Sequence, residues 1–191
     1  MGSGGSIVHY DGSGFTKLET GHDVRLISVS GSDDGEYAFA AGYSFVLPTQ
    51  STALMIHNNQ VTTLYCSDHL VPSDPNDFGS VAAVSVLGDT AYFVTNIGLW
   101  KYNYRDGRSA LDRSFHDYTY NPLIVQNIND IYMAGGGGRY MHFNGIKWYL
   151  SMDLYNQHHF AIDGGDFKGD LAVMAGYVNF GVGGVILRGY R

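Results

Sequence analysis

Eight residues carry side chains suited to ligand recognition and fall in segments predicted to be loops. They are aromatic, imidazole or carboxylate groups: Tyr43, His69, His116, Asp117, Tyr118, Tyr155, His158 and Tyr177. A flat aromatic ring covers the apolar face of a sugar or a peptide, while short polar groups bind its hydroxyls and amides. These residues therefore predict a binding surface for a glycan or a protein.

The same inventory argues against metal or catalytic chemistry. His69, His116 and His158 have no cysteine partner and no i, i+4 spacing, so we predict no metal site. The acids that open four similar strands belong to separate repeats, and equivalent positions in a ring lie far apart. We expect them to shape turns by accepting backbone N–H groups; they are Glu36, Asp89, Asp130 and Asp170. No catalytic residue and no cofactor is predicted.

Three further polar features have a structural interpretation. The histidines His9, His57 and His142 occupy matching positions and are expected at cross-strand packing sites. Asp163–Asp166 is interpreted as a solvated turn, because it lacks the spacing of a calcium loop. Cys66, the one cysteine of the chain, is expected to be a small, half-buried side chain at a strand end.

Two anchors recur along the chain and define the elements that position these side chains. A His or basic residue lies within a strand-like run five times, at intervals of 48, 44, 41 and 46 residues: His9, His57, Lys101, His142 and Arg188. An acid opens a run of small and aromatic residues four times, at intervals of 53, 41 and 40 residues, and three of these runs close on glycine. Two registers repeating together predict a repeat fold.

Each repeat contains four short strands, which we label A (apolar), B (acid to glycine), C (His or basic) and D (alternating). An apolar A strand and a polar, alternating D strand are what the inner and outer strands of a propeller blade require. We therefore predict an all-β, β-propeller-like fold with about four to five four-stranded blades of 40–50 residues. Residues 1–191 form a single repeat domain, with blade units near 5–20 (partial), 24–66, 80–116, 121–151 and 158–191 (partial).

The strand count at the two ends is uneven. The chain starts with strands C and D and stops after A, B and C. The last sheet could accept the N-terminal D strand near Phe15–Glu19, or the N-terminal pair could belong to a separate blade. We favour an open or partner-completed propeller, because an unpaired strand edge invites pairing with another chain.

The residues also resemble a known group of repeats. The run Ile7-Val-His-Tyr-Asp-Gly12, followed later by a strand that opens on Asp and ends Ala-x-Gly, resembles the degenerate repeats of bacterial-type propellers of the BNR-like, Kelch-like and photosystem-assembly-factor-like groups. The resemblance implies a propeller and no particular activity. Ser32-Asp-Asp-Gly35 only partly matches the Asp-box of sialidase-type blades.

Charge and composition limit the classes of partner that this chain is expected to bind. The net charge is −7 and the 11 Lys and Arg residues are dispersed, so we expect no nucleic-acid partner. No apolar stretch is long enough for membrane insertion. Localisation is open, and we favour an extracellular or surface-associated position, as in a filament or virion component.

The predicted function is a non-catalytic module that binds a glycan or a protein through the face formed by the long B–C and D–A loops, with self-assembly through open strand edges. The alternative is a glycosidase- or lyase-type propeller enzyme with carboxylates near the central channel.

Overall fold

A computed structural model gives the architecture, and it describes residues 2–46, 49–71, 77–113, 120–135, 139–151, 160–169, 171–178 and 183–190. The described residues contain no helix. They form seventeen strands: β1 (Ile7–Tyr10), β2 (Phe15–Leu18), β3 (Arg25–Gly31), β4 (Tyr37–Ser44), β5 (Gln50–His57), β6 (Gln60–Ser67), β7 (Val81–Leu87), β8 (Thr90–Thr95), β9 (Gly98–Asn103), β10 (Ser109–Asp112), β11 (Tyr120–Asn127), β12 (Asp130–Gly135), β13 (Tyr140–Phe143), β14 (Trp148–Ser151), β15 (Phe160–Lys168), β16 (Leu171–Val178) and β17 (Gly183–Tyr190).

The strands form antiparallel meanders in the predicted order. β3–β6, β7–β10 and β11–β14 are four-stranded sheets, β15–β17 is a three-stranded sheet, and β1 and β2 form a hairpin of their own. The all-β prediction and the A–B–C–D strand order are thus confirmed. Among the described residues β2 pairs with β1 and does not complete the last sheet. The contacts divide the chain into two compact units, Met1–Asp117 and Tyr118–Arg191.

The strand registers explain why the two sequence anchors recur together. In three sheets the basic residue of strand C lies opposite the third residue of strand B: Lys101 faces Tyr92, His142 faces Tyr132 and Arg188 faces Val173. In the β3–β6 sheet His57 faces Tyr37, the first residue of β4. The rings of Tyr37 and His57 stack with centroids 4.3 Å apart, and those of Tyr132 and His142 stack at 4.1 Å. Cross-strand packing is thus confirmed for His57 and His142. His9 is exposed opposite Thr16, and its Nδ1 lies 2.7 Å from Asn59 Oδ1 instead.

The glycine near the end of strand B is required for steric reasons. Gly42 lies opposite Leu26, where the register of β3 shifts, and Gly176 lies opposite Ile162, where β15 shifts in the same way. A Cβ on Gly42 would lie 2.2 Å from the carbonyl oxygen of Arg25. A Cβ on Gly176 would lie 1.8 Å from the carbonyl oxygen of Ala161. The bulge brings the backbone of the inner strand close to this glycine of strand B. A side chain at the glycine position would therefore have to displace backbone atoms.

The core of the first unit lies on both faces of the β3–β6 sheet. On one face Ile7 and Leu18 of the hairpin pack with Val24, Leu26 and Leu54. On the other face Phe39, Ala41 and Ala53 pack against the next sheet; its contributing residues are Val81, Val84, Ala91, Phe93, Trp100 and Tyr104. Phe39 and Phe93 are fully buried. Each of these faces is thus covered by a neighbouring sheet.

Serine hydroxyls join the β3–β6 sheet to β7, the inner strand of the next sheet. The backbone N–H of Val84 donates to Ser28 Oγ at 3.0 Å, and that of Val86 donates to Ser30 Oγ at 3.0 Å. The buried N–H of Val81 donates to Ser51 Oγ at 2.8 Å. These bonds satisfy polar groups of β7 that its partner strand β8 does not reach.

The second unit repeats the sheet-on-sheet packing. Ile162 and Met174 of the last sheet pack with Tyr132 and Ala134 of the β11–β14 sheet, and Leu187 packs beside them. The rings of Tyr132 and Phe167 stack at 4.2 Å.

Some local predictions are wrong. Tyr43 and Tyr177 lie inside β4 and β16 rather than in loops, because strand B extends past its glycine. Asp163–Asp166 lies within β15 rather than in a turn. Cys66 is exposed rather than half-buried. Whether a residue lies in a strand depends here on pairing with strands elsewhere in the chain, and local composition does not encode that pairing.

Candidate functional site

An open groove lies at one end of the β3–β6 sheet and includes a residue predicted to bind ligand. This loop groove encloses about 720 Å³ and has strand and loop walls. The start of β3 forms one wall, and the end of β4 with the following loop forms the other. It is lined by Ser3, Gly4, Gly21, Asp23, Val24, Arg25, Ile27, Tyr43, Ser44, Phe45, Val46 and Gln50.

Local hydrogen bonds fix the shape of the groove. Ser44 Oγ accepts the Val46 N–H at 3.2 Å, which turns the chain directly after β4. Thr49 Oγ1 donates to the carbonyl of Asp68 at 2.6 Å and ties the far side of the loop to the segment after β6. On the opposite wall the Gly5 N–H donates to the Val24 carbonyl at 2.7 Å, holding the N-terminal segment along β3.

The centre of the groove is apolar and accessible. Phe45 is 73% exposed and Val46 is 77% exposed. The ring of Tyr43 meets that of Phe45 edge to face, with centroids 5.0 Å apart. Asp23 and Arg25, both exposed, bring one charge of each sign to the rim. Apolar side chains ringed by charged ones are typical of the centre and rim of a protein-binding surface.

The predicted site residues are only partly brought together. Tyr43 lines the loop groove. His69 is half-exposed after β6, and its Nδ1 lies 2.7 Å from Asp68 Oδ1. Tyr177, 39% exposed, lies in the second unit. The remaining five predicted residues fall outside the described residues: His116, Asp117, Tyr118, Tyr155 and His158.

Phe45 and Val46 are groove residues that the sequence reasoning missed. A signal for them exists in the sequence, because Phe45-Val-Leu47 is an apolar run between a strand and Pro48. Apolar residues in a short connection on the surface need a reason, and exposure at a binding site is one.

The buried acids serve the scaffold in the described part of the chain. Asp77, 9% exposed, accepts hydrogen bonds from Tyr65 Oη at 2.5 Å and from the Gly79 N–H at 2.9 Å. Burial, followed by the adjacent Asp77 carboxylate, raises the pKa of the Tyr65 hydroxyl. Asp130, 7% exposed, lies 2.9 Å from His142 Nε2. Each carboxylate positions a neighbouring strand or connection.

Two of the acids that open strand B bind a distant arginine side chain. Arg105 forms ion pairs with Asp34, with Glu36 at 3.2 Å and with Asp89 at 3.3 Å. Its guanidinium lies 5.0 Å from the centroid of the Tyr37 ring. Hydrogen bonds from Ser32 and from the Glu36 N–H lower the pKa of Asp34. The expectation that Glu36 and Asp89 accept turn N–H groups is therefore wrong, because both carboxylates bind Arg105, which lies 69 and 16 residues away in the chain.

Cys66 and His22 are neighbours, with Sγ 3.8 Å from Nδ1, and His22 Nε2 lies 2.8 Å from Thr63 Oγ1. Although Cys66 is an exposed residue, partial desolvation of its sulfur, followed by the charge of Asp68, raises the pKa of the thiol. A raised pKa keeps the sulfur protonated, which is the opposite of what a nucleophile needs.

Within the described ranges, no cluster of three or more His, Cys, Asp or Glu side chains has the arrangement of a metal site. The same ranges hold no helix with the length and hydropathy required to cross a bilayer.

Comparison with known proteins identifies the fold. No family model matches the sequence, and no curated protein matches it. The structure matches YCF48 from Cyanidioschyzon merolae with a TM-score of 0.60 at 15% identity, covering 98% of this chain and 64% of that one. It matches the computationally designed proteins Ika4 (TM-score 0.55, 14% identity, 91% of this chain and 94% of that one) and Ika8 (0.55, 11%, 97% and 55%).

These matches are β-propellers, and YCF48 is a photosystem assembly factor. The predicted β-propeller fold is thus confirmed. At such low identity the likeness extends to the fold alone, and this chain spans less than two thirds of the length of YCF48. Whether the repeats are of the BNR-like or the Kelch-like type remains a prediction.

Proposed function

We propose that this chain is a non-catalytic β-propeller module that binds a protein segment in the loop groove. The observation that carries the proposal is the exposed pair Phe45 and Val46, placed beside Tyr43 between two rigid strands. Burying two such side chains against a partner supplies the apolar centre on which protein interfaces depend. The strands hold the groove in shape before binding, so little ordering is required on this side.

A protein partner fits the groove better than a glycan. A sugar needs several amide or carboxylate groups close to an open aromatic face, since its hydroxyls must all be satisfied. In the loop groove the Tyr43 ring packs edge to face on Phe45, and Asp23 and Arg25 lie at the rim. An apolar side chain of a peptide would occupy the centre, and its backbone or charged groups would meet the rim.

The enzyme alternative has no specific observation in its favour. A hydrolytic propeller needs carboxylates that face a substrate. In the described residues, the two acids that are at least nine-tenths buried are engaged with Tyr65 and His142.

Panning a phage-displayed random peptide library against the immobilised full chain tests the proposal. We expect enriched peptides with one large apolar residue, whose binding weakens at least about tenfold in Phe45→Ser, since losing a central anchor costs more than ~1.4 kcal/mol. Phe45 is mostly exposed, so this variant should fold normally.

The matched control is Ile146→Ser, which alters an 86% exposed side chain that is not among the groove-lining residues. Enriched peptides that bind both variants equally would overturn the groove assignment. A different result would favour a sugar as the ligand. In that case no peptide would enrich, the chain would bind a glycan on an array, and Phe45→Ser would abolish the glycan binding.

Self-assembly through open strand edges remains a prediction. The outer strand of the last sheet is of type C, and among the described residues β17 pairs on one side with β16. Assembly would add a strand to such an edge.

A further inference from the structure

The first residues of the chain follow one edge of β3 beside the loop groove. β3 is the first strand of its sheet, so one of its edges faces away from β4. At the start of that edge the Leu26 N–H donates to the Gly2 carbonyl at 3.2 Å, and the Gly5 N–H donates to the Val24 carbonyl at 2.7 Å. The two bonds run antiparallel, because the segment advances from residue 2 to residue 5 while its partner falls from Leu26 to Val24. We call residues 2–5 the N-terminal segment.

The N-terminal segment makes the hydrogen bonds of an added strand without the regular geometry of one. In a regular antiparallel pair, bonds to Val24 and Leu26 would flank a single partner residue. Here they flank two residues, Ser3 and Gly4. Gly4 and Gly5 have φ values of +66° and +61°, in the left-handed region that favours glycine. One extra residue and a left-handed glycine are typical of a bulge, so this edge of β3 is satisfied by an irregular partner.

The N-terminal segment has little to hold it in the groove. Ser3 and Gly4 line the groove and are exposed, and neither residue carries an apolar side chain that could bury Phe45 or Val46. Ordering glycines costs more backbone entropy than ordering other residues, and a main-chain hydrogen bond contributes little net free energy in water. A ligand that made the same two bonds and also buried the apolar centre would therefore compete well for this edge.

We propose that the ligand of the loop groove is an extended peptide that adds an antiparallel strand to this edge of β3, in the place of residues 2–5. The inference rests on the proposed function and names the conformation of its partner. The peptide would accept the Leu26 N–H and donate to the Val24 carbonyl, which leaves one peptide residue opposite Arg25. Side chains opposite one another share a face of a sheet. Arg25 faces Tyr43 across β3 and β4, and both residues line the groove, so the peptide side chain opposite Arg25 would point to the groove side.

N-methylation of the peptide backbone, one position at a time, tests the added strand. The probe is a labelled peptide enriched on the full wild-type chain, and fluorescence anisotropy gives its affinity. In an added strand every second amide points towards β3. We expect N-methylation to weaken binding at least about tenfold at alternate positions beside the apolar residue, and to have little effect at the positions between them. A flat scan, or losses that recur about every 3.6 residues as in a helix, would overturn the proposal.

Gly5→Val tests the displacement of the N-terminal segment. A Cβ on Gly5 would lie 2.0 Å from the His22 carbonyl oxygen and 2.5 Å from Thr20 Oγ1, so the variant cannot keep the segment in place. The same peptide should bind Gly5→Val at least about threefold more tightly than wild type, because no segment competes for the edge. Gly2→Ala is the matched control, since its Cβ would meet no described atom within 4 Å, and it should bind like wild type. A Gly5→Val variant that folds and binds no more tightly than wild type would overturn the displacement.

Phe45→Ser separates this inference from the proposed function. If the peptide binds Phe45→Ser as tightly as wild type, the groove assignment fails and the added strand fails with it. If Phe45→Ser weakens binding but the N-methylation scan is flat, the groove binds a protein segment in another conformation and only the added strand is wrong. The scan uses the wild-type chain, so it decides the proposal even if Gly5→Val does not fold.

Discussion

His142 Nε2 lies 2.9 Å from Asp130 Oδ1, across the paired strands β12 and β13. The two residues are the C-strand and B-strand anchors of one repeat, so the motifs that define the repeat in the sequence touch in the fold. The imidazole also stacks on Tyr132. When the Asp130 carboxylate is ionised it can only accept, so Nε2 then carries the proton and donates it in this bond.

The free energy of unfolding should depend on pH because of the environment of His142 in this pair. Burial lowers the pKa of His142 below its ordinary value of 6.5. As the pH falls through 6.5 the unfolded chain takes up a proton that the folded chain does not, so the free energy of unfolding falls until the folded pKa is passed. His142→Gln keeps an Nε2 donor but does not titrate. The stability of wild type relative to His142→Gln, from urea unfolding between about pH 5 and about pH 8, should rise with pH. A flat or falling difference would contradict the assignment.

The glycine near the end of strand B should be irreplaceable. Gly176→Ala puts a Cβ 1.8 Å from the Ala161 carbonyl oxygen, and we expect a loss of at least ~1–3 kcal/mol in the free energy of unfolding. Gly164→Ala, in the paired strand β15, is the control, because its Cβ would meet no described atom within 4 Å. Denaturant unfolding should separate the two variants. Equal stabilities would show that the bulge does not press on strand B.

The hydroxyl of Tyr65 should stabilise the connection that leads into β7. It donates to Asp77 Oδ1 and accepts the Phe78 N–H at 3.0 Å. Tyr65→Phe removes both bonds near a buried carboxylate, at an expected cost of ~1–3 kcal/mol. Tyr149→Phe, at a half-exposed ring, should change stability by less than ~0.5 kcal/mol. A Tyr65→Phe variant as stable as wild type would show that the Tyr65–Asp77 hydrogen bond does not stabilise the fold.

Ser51 should protect one particular amide. It accepts the Val81 N–H at 2.8 Å, and both residues are fully buried. Ser51→Ala leaves that N–H without its acceptor, so we expect ~1–3 kcal/mol of destabilisation. Hydrogen exchange of the Val81 amide, measured by NMR, should accelerate more than that of Val84, which donates to Ser28. Uniform acceleration of both amides would indicate a global effect instead.

Much of the fold could be predicted from the sequence because blade strands repeat their chemistry locally. The acid and His anchors located the B and C strands, and the apolar and alternating runs located A and D. The role of the serines in the inner strand β3 could not be predicted from local sequence. Ser28 and Ser30 interrupt an apolar strand, and their role depends on Val84 and Val86 more than 50 residues away.

The binding surface was harder to predict than the fold. Loop membership was inferred from polar and aromatic composition, so Tyr43 was found and Phe45 was not. Strand B runs two residues beyond its glycine, to Ser44 and Val178 in two of the sheets. The extension depends on pairing with β5 and β17. After β4 it leaves the apolar residues Phe45 and Val46 directly at the start of the connection.

The central claim is that the loop groove binds a protein segment through Phe45, and fluorescence anisotropy of one selected, labelled peptide tests it most directly. Titration with wild type, Phe45→Ser and Ile146→Ser gives three dissociation constants. We predict that Ile146→Ser matches wild type and that Phe45→Ser binds at least about tenfold more weakly. Equal affinity of all three proteins would contradict the account.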